Sequence, residues 1–245
     1  MVQNHLAQLL CLVAMEPPRS YDADCVRDEK LKVLQSLRPL AEEDVVRGQY
    51  GAGLVDGEKA ASYGEDVGRP DSGRESFVAL KAQIDNWRWA GVPFYLRTGK
   101  RMPVKSSHII VAFKKTPHVI FPDAQPKANR IVIRLQPNEG MELRVNNKIP
   151  GPGTLRLEPK LLNLDLRSRD GGRLPDAYER LLLDALRLNP TLYMRHDEVE
   201  QSWRWIEGVL GDGAEPPEGY AAGTWGPDSA QLLLARDGRR WSNLD

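Results

Sequence analysis

The chain has 245 residues, of which 41% are hydrophobic, enough for one large domain or two small ones with a sizeable core. Its 34 lysines and arginines balance 34 aspartates and glutamates, so bulk charge gives no reason to expect binding to nucleic acid or to a membrane surface. Two cysteines, Cys11 and Cys25, without a signal peptide indicate free thiols in a reducing cytoplasm. The longest apolar run, 9–15, is far too short to span a bilayer.

Two helices are predicted at the start of the chain. Residues 2–15 are apolar on nearly all sides, which is typical of a buried helix, and Pro17 and Pro18 end it. Since this helix has little room for an N-cap, we expect that a segment preceding it is missing. The second helix covers 28–38, and its apolar stripe consists of Leu31, Leu34 and Leu37.

The central stretch, 76–113, combines two strands with a basic turn. Apolar residues alternate with polar ones from Val78 to Ile84, which predicts a half-buried strand. A second strand is predicted over 109–113. Between them, four cationic side chains fall within nine residues around a glycine: Arg97, Lys100, Arg101 and Lys105. The pattern suits an anionic ligand, but an ordinary solvated loop explains it as well, and the residues alone leave both readings open.

The rest of the chain gives strands first and helices later. Residues 51–75 read as a surface loop, 131–136 and 141–145 as a hairpin, and the leucines at 162, 164 and 166 as a further strand. Capping boxes at 176–179 and 197–200 each predict a helix start. The tail from Gly211 is expected to wrap the surface, anchored by Tyr220 and Trp225. This order predicts an α+β fold with a large, mostly antiparallel sheet and helices packed on one face.

Histidine and cysteine spacing gives no metal site. None of the four histidines pairs with another at ligand spacing on a helix, and neither cysteine lies in a C-x-x-C motif. We interpret His108 and His118 as strand-end or surface residues and His196 as a loop residue before a capping aspartate. On the residues alone, His5 is more simply a structural histidine near a helix start.

A long resemblance carries the functional prediction. The stretch IDNWRWAGVPFYLRTGKRMP resembles glucose-6-phosphate dehydrogenase, as do QNHLAQLLCLVAMEPP, VRDEKLKVLQSLRP, VVRGQY, IVIRLQPNEG, LPDAYERLLLDAL and YAAGTWGP. These segments follow the family's order over 2–227, and they resemble its C-terminal domain only. The chain lacks the G-x-G-x-x-G and the strand–turn–helix unit that hold a dinucleotide. The resemblance therefore implies one domain, 1–245, truncated at its N-terminal helix, with the same α+β architecture.

The resemblance also implies roles for four residues. His5 matches the histidine of Q-N-H-L, the family's general base, which takes the proton of the sugar 1-hydroxyl as hydride leaves for the nicotinamide. Lys100 of R-T-G-K, Lys105 and Gln136 match substrate contacts. Arg97 matches an arginine of a second, structural NADP site in eukaryotic members. We do not predict that site here, because Ser106 and Ile110 stand where basic residues would.

The implied function is that of the C-terminal part of a cytoplasmic NADP-dependent glucose-6-phosphate dehydrogenase. The family converts glucose 6-phosphate to 6-phosphogluconolactone in the oxidative pentose phosphate pathway. The seat for NADP would lie in the missing N-terminal domain, so the chain alone is expected to be inactive. The resemblance implies glucose 6-phosphate as ligand and a homo-oligomer formed through the sheet. Two alternatives stay open: a non-catalytic partner that pairs with a full-length dehydrogenase, and an unrelated sugar-phosphate binding module.

Overall fold

The structure, a computed structural model, describes residues 1–119, 126–152, 156–166, 177–210 and 215–242. The chain divides into two compact units. The first unit takes its residues from Met1–Pro103 and Pro175–Asn243, and the second from Val104–Leu174.

Helices and strands alternate irregularly along the chain, and they are numbered here in chain order. The helical segments are a π-helical turn at Val2–Leu6, α1 Ala7–Ala14, α2 Ala23–Gln35, a 3₁₀ turn at Glu42–Asp44, α3 Tyr63–Asp66, α4 Ala177–Leu186, α5 His196–Leu210 and α6 Asp228–Ala235. The strands are β1 Val45–Gly51, β2 Gly53–Val55, β3 Glu58–Ala60, β4 Phe77–Ala82, β5 Phe94–Gly99, β6 Ser107–Ala112, β7 Arg130–Gln136, β8 Gly140–Lys148, β9 Leu157–Asp165 and β10 Glu218–Ala221. The predicted α+β class is confirmed.

The first unit is built on a four-stranded sheet with the order β10-β1-β4-β5. Strand β4 is antiparallel to both β1 and β5, whereas β1 and β10 are parallel. Strands β2 and β3 form a separate hairpin. The strands are mostly antiparallel, as predicted, but among the described residues they are divided between this sheet, the hairpin and the sheet of the second unit.

Strand β4 is buried on both faces, whereas the alternation predicted a half-buried strand. Val78 and Leu80 pack on one side with residues of α1, α2 and α5. Phe77 and Ala79 pack on the other side with Leu233 and its neighbours on α6. Helices therefore cover both faces of this sheet, and the prediction of helices on one face is corrected because the C-terminal segment supplies the second layer.

The second unit is a four-stranded antiparallel sheet with the order β6-β7-β8-β9. The predicted hairpin is confirmed, since β7 and β8 pair with Arg134 opposite Gly140. The predicted strand around the alternating leucines is confirmed as β9. Leu161, Leu162 and Leu164 are between 50% and 60% exposed.

Several local predictions are corrected. The 51–75 loop holds the β2–β3 hairpin and α3, whose N-terminus carries a capping box formed by Ser62 and Glu65. The tail contributes β10 and α6 to the first unit, where Tyr220 is buried. His196 is the first residue of α5 and not a loop residue, so the cap predicted at Asp197 lies two residues too late. The predicted cap at Asp176 lies outside the described residues.

Candidate functional site

His5 lies in a π-helical turn that opens the first helix. The amides of His5 and Leu6 both donate to the carbonyl of Met1, at 2.9 and 3.2 Å, so the turn is one residue wider than an α-turn. Single π-turns of this kind occur frequently at functional sites. The side chain of His5 is exposed. The turn packs against α5 and β5, which places His5 on an element adjacent to the strand that leads to Lys100.

Lys100 is presented by a tightly held piece of backbone. Its amide donates to the carbonyl of Ser76 at 2.9 Å, and its own carbonyl accepts from the hydroxyl of Tyr220 at 2.7 Å. A Cβ on the preceding Gly99 would lie 2.6 Å from the ring of Phe77, so a larger residue would displace this segment. The side chain of Lys100 is exposed, as a group that meets an anion from solvent must be.

Arg97 stacks with two tryptophan rings, a contact that was not predicted from the sequence. Its Cζ lies 4.7 Å from the ring centroid of Trp225 and 4.6 Å from that of Trp241. Burial lowers the pKa of Arg97 to about 10, so the guanidinium stays charged at neutral pH. Cations are attracted to the negative face of an indole ring. No spacing in the sequence indicates this stack, because the two tryptophans come from the C-terminal segment.

Arg101 also has a partner within the chain, although its side chain is 43% exposed. Its Nη2 donates to Oδ2 of Asp66 at 2.9 Å. The hydrogen bond from Arg101, followed by the one from Tyr50, lowers the pKa of Asp66 below its usual range. Arg97 and Arg101 thus contact other residues of the first unit, and the other two cations of the basic turn, Lys100 and Lys105, have exposed side chains.

Lys105 and Gln136 lie at one end of the sheet of the second unit. Gln136 is the last residue of β7 and pairs with Ser107, the first residue of β6. Lys105 precedes Ser107 by two residues, and both candidate side chains are exposed. The structure therefore places Lys105 and Gln136 close to the same sheet end within the second unit, as it places His5 and Lys100 on adjacent elements of the first.

A buried lysine on α2 was missed from the sequence. The buried stripe of α2 consists of Val26, Lys30, Val33 and Leu34. Leu31, predicted in the stripe, lies beside it and is only partly buried. The signal was present, because Lys30 follows Val26 at helical spacing, but a lysine is ordinarily assigned to the exposed face.

Two kinds of site are not seen in the part of the chain that the structure describes. There, no three His, Cys, Asp or Glu side chains approach one another as metal ligands would. None of the described helices is long and apolar enough to cross a bilayer.

The family comparison decides the identity. Residues 1–242 match the family model described as glucose-6-phosphate dehydrogenase, C-terminal domain. The chain belongs to this family. The resemblance drawn from the sequence segments is thereby confirmed, and it extends over nearly the whole chain.

Relatives of this glucose-6-phosphate dehydrogenase domain are glucose-6-phosphate 1-dehydrogenases of about twice its length. A glucose-6-phosphate 1-dehydrogenase of Rhizobium meliloti is 50% identical over 252 residues, which cover 99% of this chain and 51% of the relative. One of Mycolicibacterium smegmatis is 53% identical over 250 residues, covering 98% of this chain and 50% of the relative. The chain therefore spans about half the length of the curated relatives it matches.

Solved structures show the same fold. The crystal structure of glucose-6-phosphate 1-dehydrogenase from Mycobacterium avium superposes with a TM-score of 0.83 at 36% identity, over 99% of this chain and 50% of the other. A glucose-6-phosphate dehydrogenase solved in complex with its substrate glucose-6-phosphate gives a TM-score of 0.82 at 36% identity, over 98% of this chain and 50% of the other.

Proposed function

We propose that this chain acts as the sugar-binding, C-terminal half of an NADP-dependent glucose-6-phosphate dehydrogenase that forms 6-phosphogluconolactone. The observation that carries the proposal is the match of residues 1–242 to the family's C-terminal domain. The relatives described above are glucose-6-phosphate 1-dehydrogenases. We further propose that residues 1–245 work as one functional domain, in the cytoplasm, and as a homo-oligomer that associates through its sheet.

In this proposal His5 is the general base and the other three residues bind the substrate. His5 accepts the proton of the sugar 1-hydroxyl, a task for which an exposed imidazole is suited near neutral pH. Lys100 and Lys105 bring positive charge to the phosphate, and Gln136 offers an amide to the sugar hydroxyls. The support is the motif match of each residue and the exposure of all four side chains.

The described residues do not fit NADP, and we propose that a coenzyme domain outside this chain holds it. The strand–turn–helix segment formed by β10 and α6 contains Gly223 and Gly226. The space next to both glycines is filled by other residues of this chain. A Cβ on Gly223 would lie 1.8 Å from the carbonyl of Leu54, and one on Gly226 would lie 2.3 Å from the ring of Phe77. A pyrophosphate needs such close backbone approach for itself.

The test joins the chain to the coenzyme half of the Mycolicibacterium smegmatis relative and follows NADPH formation by absorbance. We expect turnover of glucose 6-phosphate from the joined protein and none from the chain alone. His5→Asn should lower kcat by about 10²- to 10⁴-fold, because it removes the proton acceptor. Lys100→Ala and Lys105→Ala should mainly raise KM, since each removes a charge that meets the substrate before and during the reaction.

The control is His196→Asn, which removes another exposed histidine of the first unit and should change neither parameter. If His5→Asn kept its kcat, the assignment of the base would be wrong. A joined protein that folds and binds glucose 6-phosphate but does not turn it over would favour the second candidate, a non-catalytic partner. The half-length match to the relatives is the observation in favour of that candidate.

A further inference from the structure

Polar contacts between a partly buried glutamine, a buried lysine and a buried glutamate link three helices of the first unit. Nζ of Lys30 on α2 lies 2.9 Å from Oε1 of Gln8 on α1 and 2.7 Å from Oε1 of Glu198 on α5. The side chains of Lys30 and Glu198 are 5% and 0% exposed. Oε2 of Glu198 accepts from the amide of Arg195 at 2.8 Å, which satisfies a donor at the start of α5.

The surroundings of these polar contacts are apolar. Cys11 and Leu34 are buried in the same region, and burial raises the pKa of the Cys11 thiol to about 12, so it stays neutral. An ion pair in such a place contributes little net stability, because the desolvation of both charges offsets their attraction. Apolar side chains of similar size would fill the space at least as well. Net stabilisation therefore does not explain why the ion pair is present. The best-attested role of such buried polar groups is to fix the register of packed elements.

Helix α1 has a particular need for such a register device. Besides Leu10, its buried face consists of Ala7, Cys11 and Ala14, whose small side chains pack without strong directional preference. A hydrogen bond is directional, so the contact of Gln8 with Lys30 fixes both the rotation and the axial position of α1. Gln8 follows His5 by three residues and thus lies within one helical turn of it.

We propose that Gln8 and Lys30, with Glu198 as counter-charge, are positioning residues that fix the turn presenting His5. In this arrangement, the polar contacts with α2 and α5 set the position of α1. The catalytic consequence rests on the proposed function, whereas the structural consequence can be measured on the chain by itself.

The first test is Gln8→Met, which removes the acceptor without leaving a charge uncovered. We expect the midpoint of urea unfolding to stay near that of the wild type. In the chain labelled with ¹³C-histidine, the ring signal of His5 should move or broaden, while that of His118 in the second unit stays in place. In the protein joined to a coenzyme half, kcat should fall by about 10- to 100-fold with KM for glucose 6-phosphate little changed, because misplacement of a reacting group costs on that scale. Gln35→Met, on an exposed glutamine of α2, is the matched control and should change none of these.

The second test separates positioning from stability. Lys30→Met leaves Glu198 buried without its counter-charge, so the urea midpoint should drop clearly. The double variant Lys30→Met/Glu198→Gln removes both charges but retains an acceptor for the Arg195 amide, and it should recover most of that loss. Its His5 signal should still be displaced, since Gln8 still has no donor. Lys32→Met, which breaks the exposed pair with Glu29 on the same helix, is the control.

Each outcome decides the proposal. If Gln8→Met and the double variant leave the His5 signal and kcat as in the wild type, the polar contacts are structural only and the inference is overturned. If the joined wild-type protein is inactive while Gln8→Met still displaces the His5 signal, the proposed function fails and the positioning role stands.

Discussion

At the scale of single residues, the two cysteines have opposite environments. Both are free thiols. Nε of Arg19 donates to the sulfur of Cys25 at 3.4 Å, and Oγ of Ser20 lies 3.3 Å from it. These hydrogen bonds, that of Arg19 first, lower the pKa of Cys25, whereas burial raises the pKa of Cys11 to about 12. Since the thiolate is the nucleophile, the two thiols must differ strongly in reactivity.

We expect one thiol per folded chain to react with a disulfide reagent at neutral pH. The reacting residue should be Cys25, identified by mass spectrometry of the labelled peptides, and Cys11 should react only after unfolding in urea. Arg19→Met should slow the reaction at Cys25, because the thiolate loses its strongest hydrogen-bond donor. Fast labelling of Cys11 in the folded chain would contradict the burial of α1.

The candidate site shows which residue assignments the sequence can support. His5, Lys100, Lys105 and Gln136 follow from motifs that are local in sequence, and their roles stay predictions. The buried state of Lys30 is indicated locally only by its helical spacing from Val26. It depends on Glu198, which comes from a helix far along the chain, and a lysine without a known partner is assigned to solvent.

At the scale of elements, the turn between β10 and α6 depends on a glycine that lies against a strand. Gly226 has φ of +95°, and a Cβ there would lie 2.3 Å from the ring of Phe77 on β4. Gly57 has a similar φ of +82° but open space around it. Both glycines have a positive φ, but only Gly226 is packed against another side chain.

We expect Gly57→Ala to destabilise the chain by about 1–2 kcal/mol, the cost of an L-residue in the left-handed region. Gly226→Ala should cost about 1–3 kcal/mol more, because the added methyl overpacks the contact with Phe77. Urea unfolding of the two variants measures the difference. Equal losses would mean that α6 can move away from β4 at little cost.

The segment after α6 is held by a carboxylate. Nζ of Lys81 lies 2.8 Å from Oδ2 of Asp237, which also accepts from the hydroxyl of Tyr95. The hydrogen bond from Lys81, followed by that from Tyr95, lowers the pKa of Asp237. Desolvation and the bond to Asp237 raise the pKa of Tyr95 to about 12, so the tyrosine remains a donor throughout the neutral range.

This contact predicts that the free energy of unfolding depends on pH in the acidic range. Because the pKa of Asp237 is lower in the folded than in the unfolded chain, its contribution is complete above the unfolded value of about 3.9 and is lost as the pH falls through the folded value. Asp237→Asn should therefore be less stable than the wild type at pH 6, and the difference should shrink below about pH 4. Urea midpoints of both proteins across this range provide the measurement, and a constant difference would show that Asp237 does not titrate with folding.

Element prediction succeeded where patterns were local and failed where the opposing layer was distant. The β7–β8 hairpin follows from a turn composition between two apolar runs. The double burial of β4 could not be read from its alternation, since its second cover comes from α6. A tail rich in glycine and proline gives no periodic signal for a four-residue strand such as β10.

At the scale of the whole molecule, β9 is the most exposed apolar strand. Among the described residues, β9 pairs only with β8, and Leu161, Leu162 and Leu164 are at least half exposed. Exposed apolar strands at a sheet edge promote association. We therefore expect the isolated chain to self-associate, with a sedimentation mass that rises with concentration.

The double variant Leu162→Lys/Leu164→Lys should shift the chain towards a monomer, because charged side chains on an edge strand block edge pairing. Leu54→Lys serves as a control, since Leu54 is a strand leucine of the first unit with 61% exposure. A wild-type chain that sediments as a monomer at all concentrations would refute association through β9.

The parallel pairing of β1 with β10 has a consequence for how the chain is made. Gly48 lies opposite Glu218, so the sheet of the first unit joins residues that leave the ribosome at very different times. The second unit takes its sheet from 107–165, with antiparallel neighbours in sequence order, and can fold while synthesis continues. During that interval the edge of β1 that pairs with β10 has no partner. The sheet of the first unit therefore stays incomplete in the nascent chain until β10 emerges.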